Sequence, residues 1–222
     1  MIKAVIFDYG GVVAGKVTDF YVTNEKGLRI KGEPCLEQIS QRLGLPCSDL
    51  LLEIDSQIPQ LQRAEIEEKA VWEKIALTRK LTLPVDYNNL LGERYLEVYQ
   101  ENLEVVALIS RLKKQGTLVG LLSNTIKTHT DINERYNRFE KFDFVILSHQ
   151  VGFRKPEEEI YKEALQSAKK YDITPSECVY IDDVLANLEP AQKLGMHSIN
   201  FRNGENEVTS LKQSLIYLGL KL

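Results

Sequence analysis

Short apolar runs of strand-forming residues recur along this chain, and each ends on a polar residue just before a segment of helical periodicity. Residues 2 to 7 run into Asp8 and two glycines. Leu118 to Leu122 runs into Ser123-Asn124, Phe144 to Leu147 into Ser148, and Cys178 to Ile181 into Asp182-Asp183. Near-continuous apolar runs belong to strands buried on both faces, whereas strands with one wet face alternate. Strands that take turns with helices need right-handed crossovers. The pattern predicts an α/β fold built on a doubly wound parallel sheet.

Between the first run and the second lie about a hundred residues in which the apolar positions follow a 3.6-residue period. Helices are expected at Pro34 to Leu43, Ser48 to Ile54, Glu65 to Lys80 and Asp86 to Glu101, punctuated by Gly32, Pro34, Gly44, Pro46, Pro59 and Pro84. This block reads as an inserted helical subdomain over residues 16–100, with residues 1–15 and 101–222 forming the sheet domain. The tail after Gly204 predicts one last amphipathic helix.

Composition narrows the function. With 28 Lys and Arg against 32 Asp and Glu, the net charge of -4 leaves no basic footprint for nucleic acid or an anionic membrane surface. Any anionic ligand must be held locally. Cys35, Cys47 and Cys178 are odd in number and lack metal-ligand spacing, which predicts reduced thiols and a cytoplasmic protein. The apolar stretch before Asp8 is too short for a signal-peptide core or a membrane span. A length of 222 residues suffices for one good core and a small second one, in a monomer or homodimer.

In an open parallel sheet, ligands bind beyond the carboxyl ends of the strands, where strand order reverses. Asp8, Ser123, the Lys155 loop and Asp182-Asp183 could therefore share one crevice. Asp8, next to Gly10-Gly11, suits a nucleophile that takes a phosphoryl group, or a residue that caps a turn. Asp182 and Asp183, with Asn187 four residues beyond Asp183, form an acidic pair whose gathering with Asp8 calls for a cation. Magnesium, which favours carboxylate and water oxygens, is the natural choice; helix capping by Asp183 is the simpler alternative. Ser123 and Asn124 offer donors for phosphate oxygens, and Lys155 offers a fixed positive charge. The run Glu157-Glu158-Glu159 fits the first turn of a helix.

Taken in order, Phe7-Asp8-Tyr9-Gly10-Gly11-Val12, Leu122-Ser123-Asn124, Gly152-Phe153-Arg154-Lys155-Pro156 and Ile181-Asp182-Asp183-Val184-Leu185-Ala186-Asn187 resemble the four motifs of haloacid dehalogenase-like hydrolases. Ala191-Gln192-Lys193-Leu194-Gly195-Met196 is similar to that family too. Within it, the likeness is to phosphatases similar to the N-terminal domain of soluble epoxide hydrolase. The resemblance implies a Rossmann-like core with an inserted helical cap and a Mg2+-dependent hydrolase acting on a small phosphorylated metabolite. It makes Asp8 the nucleophile, Asp8, Gly10 (through its carbonyl) and Asp183 the metal ligands, and Ser123, Asn124 and Lys155 the phosphate holders. Asp182 takes part in catalysis and Asn187 supports the shell.

One position departs from the family pattern. Phosphatases of this type usually carry an acid/base aspartate two residues after the nucleophile, and here Gly10 stands there. That leaves three alternatives: a phosphatase for esters with good leaving groups or one that borrows an acid from the cap or from water, a protein that binds a phosphate ligand with impaired catalysis, or a 2-haloacid dehalogenase. The paired Asp182-Asp183 speaks against the last. Trp72, Tyr95 and Tyr99 are expected to pack, and His129, His149 and His197 to lie on the surface or in loops. Arg111, Lys113 and Lys114 read as a solvated helix face. Arg154, beside Lys155, could reach an anionic substrate.

Overall fold

A computed structural model describes residues 1–14, 21–23, 29–31, 34–201 and 206–222. Gly32 and Gly204 lie outside these residues, as does the side chain of Cys35. In chain order the elements are β1 (Ala4–Phe7), β2 (Tyr21–Thr23), β3 (Arg29–Lys31), α1 (Pro34–Leu43), α2 (Cys47–Asp55), α3 (Ile58–Gln62), α4 (Glu68–Arg79) and α5 (Leu90–Val98). They continue with α6 (Leu103–Lys114), β4 (Leu118–Ser123), α7 (Lys127–Arg135), β5 (Phe144–Leu147), α8 (Ser148–Val151) and α9 (Glu158–Lys169). The chain closes with β6 (Cys178–Asp182), α10 (Leu188–Lys193), β7 (His197–Asn200) and α11 (Glu207–Tyr217).

Five strands form a parallel sheet in the order β5-β4-β1-β6-β7. Strand alternation then sorts the side chains into two cores. Val5 and Phe7 of β1, Val119 and Leu121 of β4, and Val179 and Ile181 of β6 meet Val105, Leu108, Ile109 and Leu112 of α6 and Leu211 and Leu215 of α11. On the opposite face Ala4, Ile6, Leu122, Cys178 and Tyr180 meet Ile160, Tyr161 and Ala164 of α9 and Leu188 and Ala191 of α10. Helices on both faces are what near-continuous apolar strands require, and the doubly wound sheet expected from the sequence is the fold observed.

The central strands fall where the apolar runs placed them. The edge strand β7 was not anticipated, because His-Ser-Ile-Asn carries one apolar residue and sits where only one neighbour is needed. The block before α6 differs in two respects from an all-helical reading. Tyr21–Thr23 and Arg29–Lys31 pair antiparallel, and the short α3 fills a gap between predicted helices. From Pro34 onward the helices close around their own core, with Trp72, Ile75, Leu50, Ile39 and Leu90 fully buried. Ile126, from the loop after β4, joins that core. The two ends of the block lie side by side: Ala14 bridges Glu101, and Asn102 N donates to Val13 O at 2.9 Å. Among the described residues no helix is long and apolar enough to cross a membrane.

Candidate active site

β1 is the strand at which sheet order reverses, with β4 on one side and β6 on the other, so the carboxyl ends of these three strands define the crevice. Asp8 follows β1 and holds the ladder by donating its N–H to Ile181 O at 2.8 Å. Ser123 closes β4 and Asp182 closes β6. Lys155 arrives from the loop between α8 and α9. The sequence-predicted residues thus come from four separate segments to one place.

Lys155 is the hinge of the arrangement. Its side chain is 1% exposed, and its Nζ lies 2.7 Å from Asp8 Oδ1 and 2.7 Å from Asp182 Oδ2. Burial works against the ammonium charge, but Asp8 and Asp182 outweigh it and hold the lysine pKa above its usual value. For Asp8 burial prevails: it pushes the carboxyl up to about 7 against the pull of Lys155, with Asp182 and Asp183 adding to the rise. Tyr9 N donates to Asp8 Oδ1 at 2.6 Å.

Asp182 is fully buried and saturated with donors. Val184 N reaches Oδ1 at 2.8 Å, Asn187 Nδ2 lies 3.0 Å from both oxygens, and the Tyr180 hydroxyl donates to Oδ2. With Lys155 added, this carboxylate has its lone pairs occupied, and it orients the lysine.

Asp183 sits directly against Gly11. A Cβ at Gly11 would lie 2.3 Å from Asp183 Oδ2, and the backbone there has φ +82°. Any side chain would collide with the carboxylate and strain the turn, so glycine is obligatory for Asp183 to stand where it does. Gly10 is the opposite case. Its φ is not in the left-handed region, and a Cβ would meet nothing within 4 Å. Oxygens of Asp8, Asp182 and Asp183 all lie within 4.8 Å of one another, and with Asp182 saturated those of Asp8 and Asp183 are the hard donors suited to magnesium.

The residues after β4 divide in two. Ser123 is 4% exposed and stands at the carboxyl end of β4, facing the crevice end of the sheet. Asn124 is committed elsewhere: Lys155 N donates to its Oδ1 at 2.7 Å and its Nδ2 donates to Lys155 O at 2.9 Å. That reciprocal clamp ties the Asn124 side chain to the backbone of Lys155. Ser148 braces the same loop, exchanging hydrogen bonds with Thr125 N and O at 3.0 Å. Arg154 Nε donates to Gln62 Oε1 at 2.8 Å, and Arg63 pairs with Glu157, which ties the Lys155 loop to α3.

Some side residues differ from expectation. His129 lies in α7, stacked on Tyr95 with ring centroids 4.2 Å apart, and His149 in α8, whereas His197 is exposed at the start of β7, as expected. Tyr95 and Tyr99 do more than pack. Tyr95 shares hydrogen bonds with Asn133, and Tyr99 meets Tyr9 hydroxyl to hydroxyl at 3.0 Å. Sequence reading missed Tyr180, whose signal was its place two residues before Asp182 on the same strand face.

A haloacid dehalogenase-like hydrolase model matches residues 2–195. The chain belongs to the haloacid dehalogenase-like hydrolase family. A curated relative, rat bifunctional epoxide hydrolase 2, is 32% identical over 117 residues, 50% of this chain and 21% of that protein. This hydrolase therefore corresponds to about a fifth of the length of that relative. The sesquiterpene phosphatase astK of Aspergillus oryzae is 28% identical over 110 residues, 49% of this chain and 55% of that one. Among solved structures, a family enzyme from Bacteroides thetaiotaomicron, in complex with magnesium and inorganic phosphate, superposes with TM-score 0.70 at 21% identity. The match covers 92% of this hydrolase and 96% of that chain and establishes the shared fold.

Proposed function

We propose that this hydrolase is a phosphatase for small phosphate monoesters in which Asp8 is the nucleophile. The observation that carries the reading is the buried Lys155 ammonium, held 2.7 Å from both Asp8 and Asp182 at the sheet's switch point. A fixed cation against the nucleophile neutralises it for approach to an anionic phosphate and stabilises charge that develops on the phosphoryl oxygens. Asp8 attacks in line, the P–O bond to the leaving group breaks, and the resulting aspartyl phosphate is hydrolysed by water. The Ser123 hydroxyl binds a phosphoryl oxygen, and Asn124 keeps Lys155 in register.

Asp8, Asp183 and the Gly10 carbonyl would hold Mg2+, which would offset the clustered carboxylates and polarise the phosphoryl group. Phosphatase relatives and a magnesium- and phosphate-bound relative of the same fold support this assignment. The block 16–100 serves as a cap over the crevice, pinned through Gln62 and Arg63 beside Lys155, and its inner face selects the substrate. A cytoplasmic location belongs to the same proposal and agrees with free thiols at Cys47 and Cys178.

Gly10 shapes the substrate preference. No carboxyl group stands at this position to protonate a leaving alkoxide, so turnover should be fastest on esters whose leaving group departs without a proton. The alternative of a phosphate-binding protein with impaired catalysis rests on the same glycine. Phosphate release from an aryl phosphate and a panel of metabolite phosphates, with magnesium and with chelator, separates the two. Magnesium-dependent release that vanishes in Asp8→Asn is expected; saturable phosphate binding with no release from any substrate would favour the binding protein.

A further inference from the structure

The alternation that brings Asp182 to the end of β6 also puts Tyr180 on the same face, two residues earlier. Tyr180 is fully buried, and its hydroxyl donates to Asp182 Oδ2, the oxygen that Lys155 Nζ reaches at 2.7 Å. Its ring lies beside the ammonium, with Nζ 5.7 Å from the centroid. Tyr161 braces that ring edge-on at 5.6 Å and donates its own hydroxyl to Asn187 O at 2.8 Å. Asn187 in turn grips both oxygens of Asp182. The tyrosine pair therefore forms a rigid floor beneath the lysine and its second carboxylate.

Resting on the assignment of Asp8 as nucleophile, we propose that Tyr180 is a positioning residue that sets how Lys155 divides its charge between Asp182 and Asp8. Asp182 and Asp8 compete for one ammonium. A hydroxyl donating to Oδ2 draws negative charge from the oxygen that competes, so the ammonium stays centred and available to the transferred phosphoryl group. Without that hydroxyl Lys155 closes on Asp182 and withdraws from Asp8. The Ser123 hydroxyl does not depend on Tyr180 and still holds the phosphate, so the effect falls chiefly on the chemical step.

Tyr180→Phe tests this, because it keeps the ring and removes only the hydroxyl. We expect kcat to fall about tenfold with KM changed less than about twofold, the pattern of an interaction that matters in the transition state. In an Asp182→Asn background, where no carboxylate competes for the ammonium, the same substitution should have almost no effect on kcat, a coupling that a double-mutant cycle measures. An equal loss in both backgrounds, or no loss in either, overturns the proposal. The wild type against Asp8→Asn in the same assay judges the phosphatase assignment separately. A readout free of turnover is the 15N–1H signal of the Lys155 ammonium, identified by its absence in Lys155→Met. It should move in Tyr180→Phe, and an unmoved signal refutes the proposal even in the absence of any substrate.

Discussion

Lys155→Met removes the ammonium while retaining an unbranched side chain that fits a buried slot. Removing one partner of a buried ion pair commonly costs about 3–5 kcal/mol, because the other charge stays in a poorly solvating environment. Here the loss is unevenly shared. Asp182 keeps its donors from Tyr180, Val184 and Asn187, whereas Asp8 keeps the Tyr9 N–H. Asp8 already has its pKa raised to about 7 with the lysine opposing the rise, so the variant must hold its proton to still higher pH. In the unfolded chain the group titrates near 3.8. Between these values both proteins carry the proton on Asp8 when folded, and both lose stability in parallel as pH rises. Above about pH 7 the wild type ionises and its curve levels, while the variant goes on losing roughly 1.4 kcal/mol per pH unit. Thermal unfolding in chelator should show a Tm deficit that widens by several degrees from about pH 6 to about pH 8, at ~2–4 °C per kcal/mol for a chain of this size. A deficit that is constant with pH, or that shrinks as pH rises, would refute the claim that Lys155 restrains the Asp8 proton.

The two glycines beside Asp8 make opposite predictions. Gly11→Ala drives a methyl group into Asp183, 2.3 Å from Oδ2, at a φ that L-residues avoid. It should raise the magnesium requirement at least about tenfold and cost about 1–3 kcal/mol of stability, and an unchanged magnesium titration would show that Asp183 is no ligand. Gly10→Asp, by contrast, places a carboxyl group in open space without backbone strain. It should raise kcat on alkyl phosphates by up to ~100-fold while changing aryl phosphate turnover little, the mark of an added general acid. An equal effect on both substrate classes would discount the missing acid as the cause of the preference.

How far the sequence carried the account varies with the distance over which each feature is encoded. β1, β4, β5 and β6 were legible because strands buried on both faces must be apolar along their length. The residues at their ends were legible for the same reason, since a carboxylate such as Asp8 or Asp182 interrupts an apolar run abruptly. Edge strand β7 needs little apolar burial and left no such trace, and the β2–β3 pair is only three residues long on each side. The clamp between Asn124 and Lys155 left no trace in the sequence, because the N–H and carbonyl of Lys155 lie 31 residues away and only the fold brings them together. Tyr180 was hidden differently: a tyrosine inside an apolar strand reads as core until its hydroxyl is seen to meet Asp182. The stacking of His129 on Tyr95 was hidden in the same way, because α5 and α7 meet only in the fold.

The most direct test of the mechanism is to look for the phosphoryl group on Asp8 itself. Acid quenching during turnover of an aryl phosphate, followed by proteolysis and mass spectrometry, should find the peptide that carries Asp8 heavier by one phosphoryl group. The adduct should be removed by hydroxylamine and be absent from Asp8→Asn. Phosphate release at full rate with no adduct under any quench condition, or release that persists in Asp8→Asn, would contradict nucleophilic catalysis by Asp8.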